Sequence, residues 1–579
     1  MEQKPQTETP SDSPPQPTKD TSPGTEEAST DQRPARRLGF GFGMGLITAV
    51  LVIGVTYIAQ FLAGLIFPPF SLFDFAARVL PGPLITGTID VLVRIIHGLN
   101  LGATSSTAKL VEQGMALVKF TVLGGLWGML LGALRPARPG RSLAFAGLGT
   151  GTLLALGFTG IEAYLGFPVF GPFASFLWLE LIFGVWGYAL GWMLRAPAEA
   201  PAVAGETAQS GNGGPGGLTR REALYLGATS FVAVVAAALG LGFLYRERRS
   251  AATAAQAFTP TPMPLPDATV TANIDTASAT ALQNRIEPAP GTRPEMTPTD
   301  AFYRIDINTR PPQVDAASWE LQVDGLVDHP GTFTLDDLRA RPAQSEPLTL
   351  ACISNPIGGD LIGTTVWTGI RLRDFLDEVG LQPEAQALVV EAADGFHETV
   401  VMSDLMDERT MLVYAMDGAP LPQEHGFPLR IYIPNRYGMK QPKWIVHMQA
   451  VADTPDGYWV RRGWSRTAVM RTTSVIDTAT AAPDAASATT FGGIAHAGAR
   501  GISKVELQVD DGPWQEAELR VPPRSDLTWV QWRYTDTFPA GTHTARVRAY
   551  DGTGELQVMD ESPPHPDGAT GVHTVQFDV

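Results

Sequence analysis

The sequence predicts a multidomain chain: an α-helical multi-pass membrane domain, then an α+β domain, then a two-sheet β-sandwich. Three observations carry that order. Residues 38–250 hold several apolar runs, each long enough or nearly so for the ~20-residue crossing of a bilayer. From residue 300 onward, strand-like and helix-like periods alternate. From about residue 488 only the strand period persists.

Residues 1–37 read as a disordered cytoplasmic tail. Pro, Thr, Ser, Gln and Glu dominate it, so it cannot bury enough apolar surface to fold, and it has no apolar core of a signal peptide. Residues 38–249 form a transmembrane domain of about five helices, at Leu38–Phe67, Val118–Leu134, Ser142–Leu165, Phe173–Leu194 and Ala223–Leu244. The stretch 72–100 carries Asp74, Arg78, Pro81, Pro83, Asp90 and Arg94, and is expected at the interface or as a re-entrant segment. Gly124, Gly125, Gly128 and Gly132, like Gly147, Gly149 and Gly151, suit close helix packing. Glu162 and Glu180 are the charged candidates for a transport path, but helix packing is the preferred use of this half.

Five crossings from an inside amino terminus place Arg36, Arg37, Arg135, Arg138, Arg141, Arg195, Arg220 and Arg221 in the cytoplasm. Six crossings would put the Arg135–Arg141 loop outside. With five, everything after 245 lies outside, and Arg246, Arg248 and Arg249 sit against the rule. The pair Arg220-Arg221 before a modestly apolar helix resembles a twin-arginine export signal, and equally serves a plain positive-inside anchor. Residues 196–217 and 250–295 are flexible linkers by composition.

In residues 296–482, Trp319, Leu321 and Val323 alternate with polar residues and end at Asp324-Gly325, a strand and turn. Thr334 and Asp337 are spaced as a capping box. Leu372, Phe375, Leu376 and Val379 share one helical face, and Gly380 stops it. Ala387–Glu391, Leu429–Ile433 and Trp444–Val451 read as strands. In residues 483–579, Val505, Leu507 and Val509 alternate before Asp511-Gly512, and Ala545, Val547 and Ala549 before Asp551-Gly552. That spacing suggests an immunoglobulin-like sandwich without its disulfide.

Composition excludes several functions. A net charge of −17 argues against nucleic acid as a partner. One cysteine allows neither an intrachain disulfide nor an iron–sulfur set. His97 is the only histidine before residue 300, so a bis-histidine haem within one chain is excluded there. No Walker loop and no Rossmann glycine fingerprint follows a strand. Two runs remain. Cys352 ends the strand-like Leu348–Ala351 in a polar turn, where a thiolate can ligate a soft metal; the bland alternative is a small buried hydrophobe. Between Pro422 and Trp444, Arg430, Lys440 and Lys443 stand beside glycine-bearing turns. These suit an anionic phosphate, or are solvated strand residues with His425 capping a turn.

Taken in order, these motifs resemble the sulfite oxidase family of molybdenum enzymes over residues 300–579, including its carboxy-terminal immunoglobulin-like domain. The resemblance implies a molybdenum-molybdopterin cofactor with Cys352 as metal ligand. It implies pterin contacts from His425 and Arg430 in the H-G-F-P-L-R run, from Lys443 of the K-W pair with Gln441 and Pro442, and from Asp394. The segment Phe302-Tyr303-Arg304-Ile305-Asp306 stands where the family has F-x-R-N-H, so Arg304 is expected at both pterin and substrate. Lys440 stays open between cofactor and structure. Trp444 and Trp367 read as core, although Trp367 occupies a family pocket position.

Two departures bear on substrate. Sulfite-oxidising members follow the cysteine with A-G-N-R-R, but here Ile353-Ser354-Asn355-Pro356 follows Cys352. Trp464 replaces the tyrosine after the W-x-R-R pair. A doubly charged oxyanion loses bidentate partners, and an indole donates without shuttling a proton. The expectation is therefore two-electron oxygen-atom transfer on a small sulfoxide or N-oxide rather than sulfite. Cys352, Arg304 and Trp464 are the catalytic group, and electrons are exchanged with a separate protein or quinone. The enzyme is expected to be a homodimer, with its catalytic domains on the extracytoplasmic side of a bacterial-type cell membrane. The alternative is a membrane-tethered binding or scaffold protein built on a non-catalytic version of the same fold.

Overall fold

The computed structural model describes residues 32–98, 104–134, 142–166, 171–194, 285–482 and 485–579. Most of the amino-terminal tail, the Arg135–Arg141 loop, the 196–217 linker, the Arg220-Arg221 pair, the expected span Ala223–Leu244 and residues 250–284 lie outside the described residues.

Four helices are long and apolar enough to cross a membrane: α1 (Gln32–Ala63), α4 (Thr104–Ala133), α5 (Ser142–Leu165) and α6 (Gly171–Leu194). They follow the expected spans closely except α1, which already begins at Gln32 inside the expected disordered tail, and α4, which starts well before Val118. Its first turns, Thr104 to Gln113, are too polar to read as membrane, and they are helical because they engage the soluble half. Between α1 and α4 lie α2 (Pro68–Val79) and α3 (Gly82–Gly98), neither of which qualifies as a span.

The glycines do the packing expected of them, except Gly149, where an added Cβ would meet nothing within 4 Å. A Cβ at Gly41 or Gly45 would strike the backbone of Gly128 or Gly124, and one at Gly147 or Gly151 the backbone of Gly187 or Phe183. Removing side chains lets α1 and α4, and α5 and α6, run antiparallel in close contact. Phe120, Trp127, Phe158, Phe183 and Trp186 fill the centre.

The soluble half begins with two sheets, the first mixed and the second antiparallel. One sheet has the order β2-β1-β10-β5-β6, built from β1 (Glu320–Gly325), β2 (Gly331–Thr334), β5 (Ala387–Ala392), β6 (His397–Val401) and β10 (Ile445–Val451). β1 pairs with β10 in parallel, and its neighbours are antiparallel. The second has the order β3-β4-β7-β8, from β3 (Gln344–Ala351), β4 (Ile362–Arg371), β7 (Met411–Met416) and β8 (Ala419–Pro420), with β9 (Arg430–Tyr432) beside β7.

Helix α7 (Leu335–Arg339) starts at Thr334 with the expected capping box. Helix α8 (Leu372–Val379) buries Leu372, Phe375, Leu376 and Val379, and ends at Gly380 with φ +70. A short helix α9 (Met402–Leu405) follows β6. Trp319, Leu321, Val323, Phe375 and Ile445 belong to one core between these layers.

The chain ends in two four-stranded sheets. One has the order β11-β12-β16-β15, from β11 (Thr473–Ala482), β12 (Ala485–His496), β15 (Glu518–Leu519) and β16 (Val530–Thr537). The other has the order β14-β13-β17-β18, from β13 (Ile502–Val509), β14 (Gln515–Glu516), β17 (Thr542–Asp551) and β18 (His573–Asp578). Phe491 and Trp532 of the first sheet share a core with Leu507, Val547 and Phe577 of the second. Residues 285–295, the end of the expected linker, are pinned to this unit by Arg293 on Asp477 at 2.6 Å and by Trp529 Nε1 donating to the Glu295 carbonyl.

Candidate active site

β3 delivers Cys352 into a turn that returns at β4. The Cys352 amide donates to the Leu361 carbonyl at 2.9 Å, Asn355 N to the Cys352 carbonyl at 3.1 Å, and Leu361 N to Asn355 Oδ1 at 2.9 Å. Asn355 thus closes the turn. The thiol sulfur meets Ser354 Oγ at 3.0 Å, and its flanks Ala351 and Ile353 pack with Met439 and Trp464. Burial pushes the Cys352 thiol up, outweighing the pull of Ser354, nearby amides and Lys443. A thiol so placed becomes a thiolate only against a cation.

The second run folds back toward it. Gln423–His425 forms a 3-10 turn, and Gly426, with φ +113, reverses the chain. A Cβ there would lie 3.1 Å from the Cβ atoms of both Arg430 and Lys443, so glycine is what lets these cations converge. Arg430 donates to the His425 carbonyl at 3.0 Å, and its guanidinium sits 4.7 Å from the Trp367 ring centroid. Lys443 donates to the Glu424 carbonyl at 2.9 Å and lies 3.3 Å from Asp306 Oδ2. Phe302 meets the edges of His425 and Trp367 at 5.6 Å and stacks on Tyr303. Asp394 accepts from Phe396 N at 3.0 Å and from Asn308 Nδ2 at 2.8 Å. Gln441 Nε2 holds the Ile433 and Arg436 carbonyls, and the Pro442 carbonyl accepts from Ile431 N.

Protonation follows from burial and from these neighbours. Burial, then Lys443 and Arg430, press His425 down to about 3, so it is neutral at pH 7. Burial lowers Arg430 to about 10 and, against the pull of Asp306, Lys443 to about 8. Burial raises Asp394 to about 6. Burial also acts to raise Asp306, but Lys109, Lys443 and Arg304 outweigh it and hold this carboxyl far below the usual range.

All of the sequence-predicted site residues but one line a single cleft of about 1280 Å³, open mouth included. Arg304 is the exception. It donates to Asp306 from Nε at 2.7 Å and Nη2 at 3.3 Å, because a carboxylate two residues on captures it, and it is not among the residues that line the cleft. Trp464 is 5 % exposed and lines the cleft, and its Nε1 has no hydrogen-bond partner. Gln441 Oε1 is likewise buried and unpartnered. Lys440 is not in the cleft; it pairs with Glu398 at 2.7 Å in the interior.

Sequence reading missed a whole wall. Leu92 of α3 and Thr104, Ala108, Lys109 and Glu112 of α4 line the same cleft. Lys109 Nζ donates to Glu112 Oε2 at 2.8 Å and to the carbonyls of Asp306 and Asn308 at 2.9 Å. Arg78 of α2 holds Asn308 Oδ1 at 2.7 Å and the Asp394 carbonyl at 2.6 Å, and Asp74 accepts from Thr309 N at 3.0 Å. Arg462, from the W-x-R-R pair, turns to the Arg78 carbonyl at 2.9 Å and lies over the Tyr458 ring. The only signal in the sequence was the Lys109/Glu112 spacing of one helical turn, which also marks ordinary juxtamembrane charge.

The donor set suits a soft metal carried by an anionic organic ligand: a strand-end thiol, converging buried cations, and unpartnered polar atoms in the wall. The model of the oxidoreductase molybdopterin binding domain matches residues 308–459. The uncharacterized oxidoreductase YuiH of Bacillus subtilis is 32% identical over 171 residues, 30% of this chain and 84% of that protein. A protein of Azospira oryzae, provisionally named a protein-methionine-sulfoxide reductase subunit, YedZ1, is 33% identical over 168 residues, 29% of this chain and 61% of its own length. Mitochondrial sulfite oxidase of Drosophila melanogaster is 26% identical over 286 residues, 41% of this chain and 50% of that protein. This chain therefore spans most of the first relative but only about half of the sulfite oxidase.

Fold, site and matches define a molybdopterin-dependent oxidoreductase. The chain belongs to the sulfite oxidase family of these enzymes, and its four candidate spans precede the part that the family model covers.

Proposed function

We propose that the protein catalyses two-electron oxygen-atom transfer on a small neutral sulfoxide or N-oxide rather than on sulfite. The observation that carries this is where the cations go. Arg462 is committed to the Arg78 carbonyl and Tyr458, and the turn after Cys352 offers Ser354 and Asn355 where an anion would need arginines. The flanks of Cys352 are apolar, and Trp464 Nε1 is a free donor in the same wall. A substrate oxygen can accept from that indole, whereas a doubly charged oxyanion finds no bidentate partner beside the thiol. The name of the Azospira relative points to the same substrate class.

Bound molybdenum and its dithiolene supply the two-electron redox couple. In this reading Cys352 is the thiolate ligand. Arg430, Lys443 and neutral His425 hold the pterin and its anionic end, with Asp394, Gln441, Pro442 and the Phe302–Asp306 segment completing the cradle. Residues 296–482 bind the cofactor, and 483–579, read as immunoglobulin-like, support a homodimer. The catalytic domains face the extracytoplasmic side, and a separate protein or quinone supplies electrons.

The test is full-length protein from a molybdopterin-producing host, assayed with sulfoxides and N-oxides against a reduced viologen dye, and with sulfite against ferricyanide. Turnover of a sulfoxide or N-oxide with an inert sulfite arm supports the proposal. Sulfite oxidation with no sulfoxide or N-oxide reduction overturns it.

A further inference from the structure

We propose that Lys109, from α4 of the membrane domain, is the counter-ion that keeps Asp306 neutralised while Arg304 and Lys443 turn to the anionic end of the cofactor. The inference rests on the reading above in one respect, that Arg304 and Lys443 serve the cofactor.

Asp306 is the hub of this corner. Its side chain is 2 % exposed and faces three cations: Arg304 at 2.7 Å, Lys443 at 3.3 Å and Lys109 at 3.3 Å. Two of the three belong to the cofactor's expected cradle. An anion entering there competes with Asp306 for them, and a carboxylate left bare in the interior opposes that exchange. Lys109 removes the opposition. Its side chain is 9 % exposed, and its ammonium is fixed by Glu112 Oε2 and by the Asp306 and Asn308 carbonyls. These bonds hold it against the Asp306 segment in the cleft wall, so it stays when Arg304 and Lys443 turn away.

The same contacts make the membrane domain part of the cofactor site. Asp74 and Arg78 of α2 grip the neighbouring Thr309, Asn308 and Asp394, so the segment carrying Asp306 is set by helices on one side and by the soluble domain on the other.

The experiment compares full-length protein in detergent, purified from a molybdopterin-producing host, by molybdenum-to-protein ratio and by pterin released on oxidation. Lys109→Gln keeps a donor for the backbone carbonyls and removes the charge. It is expected to lower cofactor content about tenfold, whereas Lys109→Arg stays within about twofold of wild type. The double variant Lys109→Gln/Asp306→Asn, which removes the bare carboxylate as well, should recover most of the loss. A merely structural clamp does not predict that recovery.

Wild-type content in Lys109→Gln, or a double variant as poor as the single one, overturns the proposal. Lys443→Ala separates the two readings. If it keeps its cofactor, the assignment of Lys443 has failed; if it loses cofactor while Lys109→Gln does not, only the counter-ion has failed.

Discussion

Replacing Lys440 by methionine leaves Glu398 in the interior with most of its support gone. The Glu398 side chain is fully buried; Oε1 accepts from Lys440 Nζ at 2.7 Å and from Thr399 N at 2.8 Å, and Oε2 has no partner. Breaking a buried pair from one side costs about 3–5 kcal/mol. The carboxyl has an escape, since burial already raises its pKa and it can take a proton. At pH 7 that proton costs about 1.4 kcal/mol for each unit above the ordinary glutamate value of about 4.3, or about 3.7 kcal/mol in all. At pH 5 the same step costs about 1 kcal/mol.

The sign follows from linkage. With its folded pKa raised, Glu398 contributes stability that is present below the unfolded pKa and is lost as pH rises through the folded one. The Lys440→Met penalty therefore grows from pH 5 to pH 7. Urea unfolding of the full-length protein in detergent, followed by tryptophan fluorescence at both pH values, measures it. Adding Glu398→Gln should remove most of the pH dependence. A penalty under about 1 kcal/mol at pH 7, or one that does not change with pH, refutes the reasoning.

Three further outcomes are expected. Cys352→Ser should remove turnover and lower the molybdenum-to-protein ratio by at least about tenfold, because a hydroxyl is a poor soft-metal ligand; retained activity with metal bound contradicts its role. Trp464→Phe should leave stability within about 1 kcal/mol, since Nε1 has no protein partner, but lower kcat/KM for a sulfoxide about tenfold if the indole donates to substrate oxygen; steady-state kinetics decide. With Lys443 lowered to about 8, an apo-protein loses that cation as pH rises through 8. Pterin uptake should then weaken about tenfold between pH 7 and pH 9, and Lys443→Arg should flatten the profile in a fluorescence titration.

What the sequence made legible was whatever is encoded locally. The face of α8 and its Gly380 stop, the Thr334 cap and the alternation of β1 each depend on residues a few positions apart, and each formed as read. The cleft was legible because the motifs keep a recognisable order, and Cys352, His425, Arg430 and Lys443 all line it. Lys440 was not legible, because its partner Glu398 lies on β6 and no local pattern pairs them. Arg304 stands outside the cleft lining because Asp306, two residues on, holds it, and the pattern could not show that pairing. The membrane-side wall was hidden for the same reason at larger scale: Lys109 reaches Asp306 across 197 positions, and Arg78 reaches Asp394 across 316.

Those long-range contacts also constrain how the chain threads the bilayer. In α1 and α4, Gly41 faces Gly128 and Gly132; Trp178 of α6 donates to the Ile66 carbonyl just after α1; and Gly191 faces Leu143 and Ala144 of α5. The helices therefore alternate in direction, with residues 37, 134, 142 and 194 at one end of the bundle and 63, 104, 165 and 171 at the other. The contacts that Asp74, Arg78, Thr104 and Lys109 make with the soluble half lie at the second end. Residue 194 thus lies at the end of the bundle away from the soluble half. The first end is also where Arg37 falls, in agreement with the proposal that the cofactor lies on the extracytoplasmic face. A cysteine introduced at Ser503, on the soluble half, should react with a membrane-impermeant maleimide in intact spheroplasts. Labelling only after lysis would place the soluble half in the cytoplasm and break that agreement.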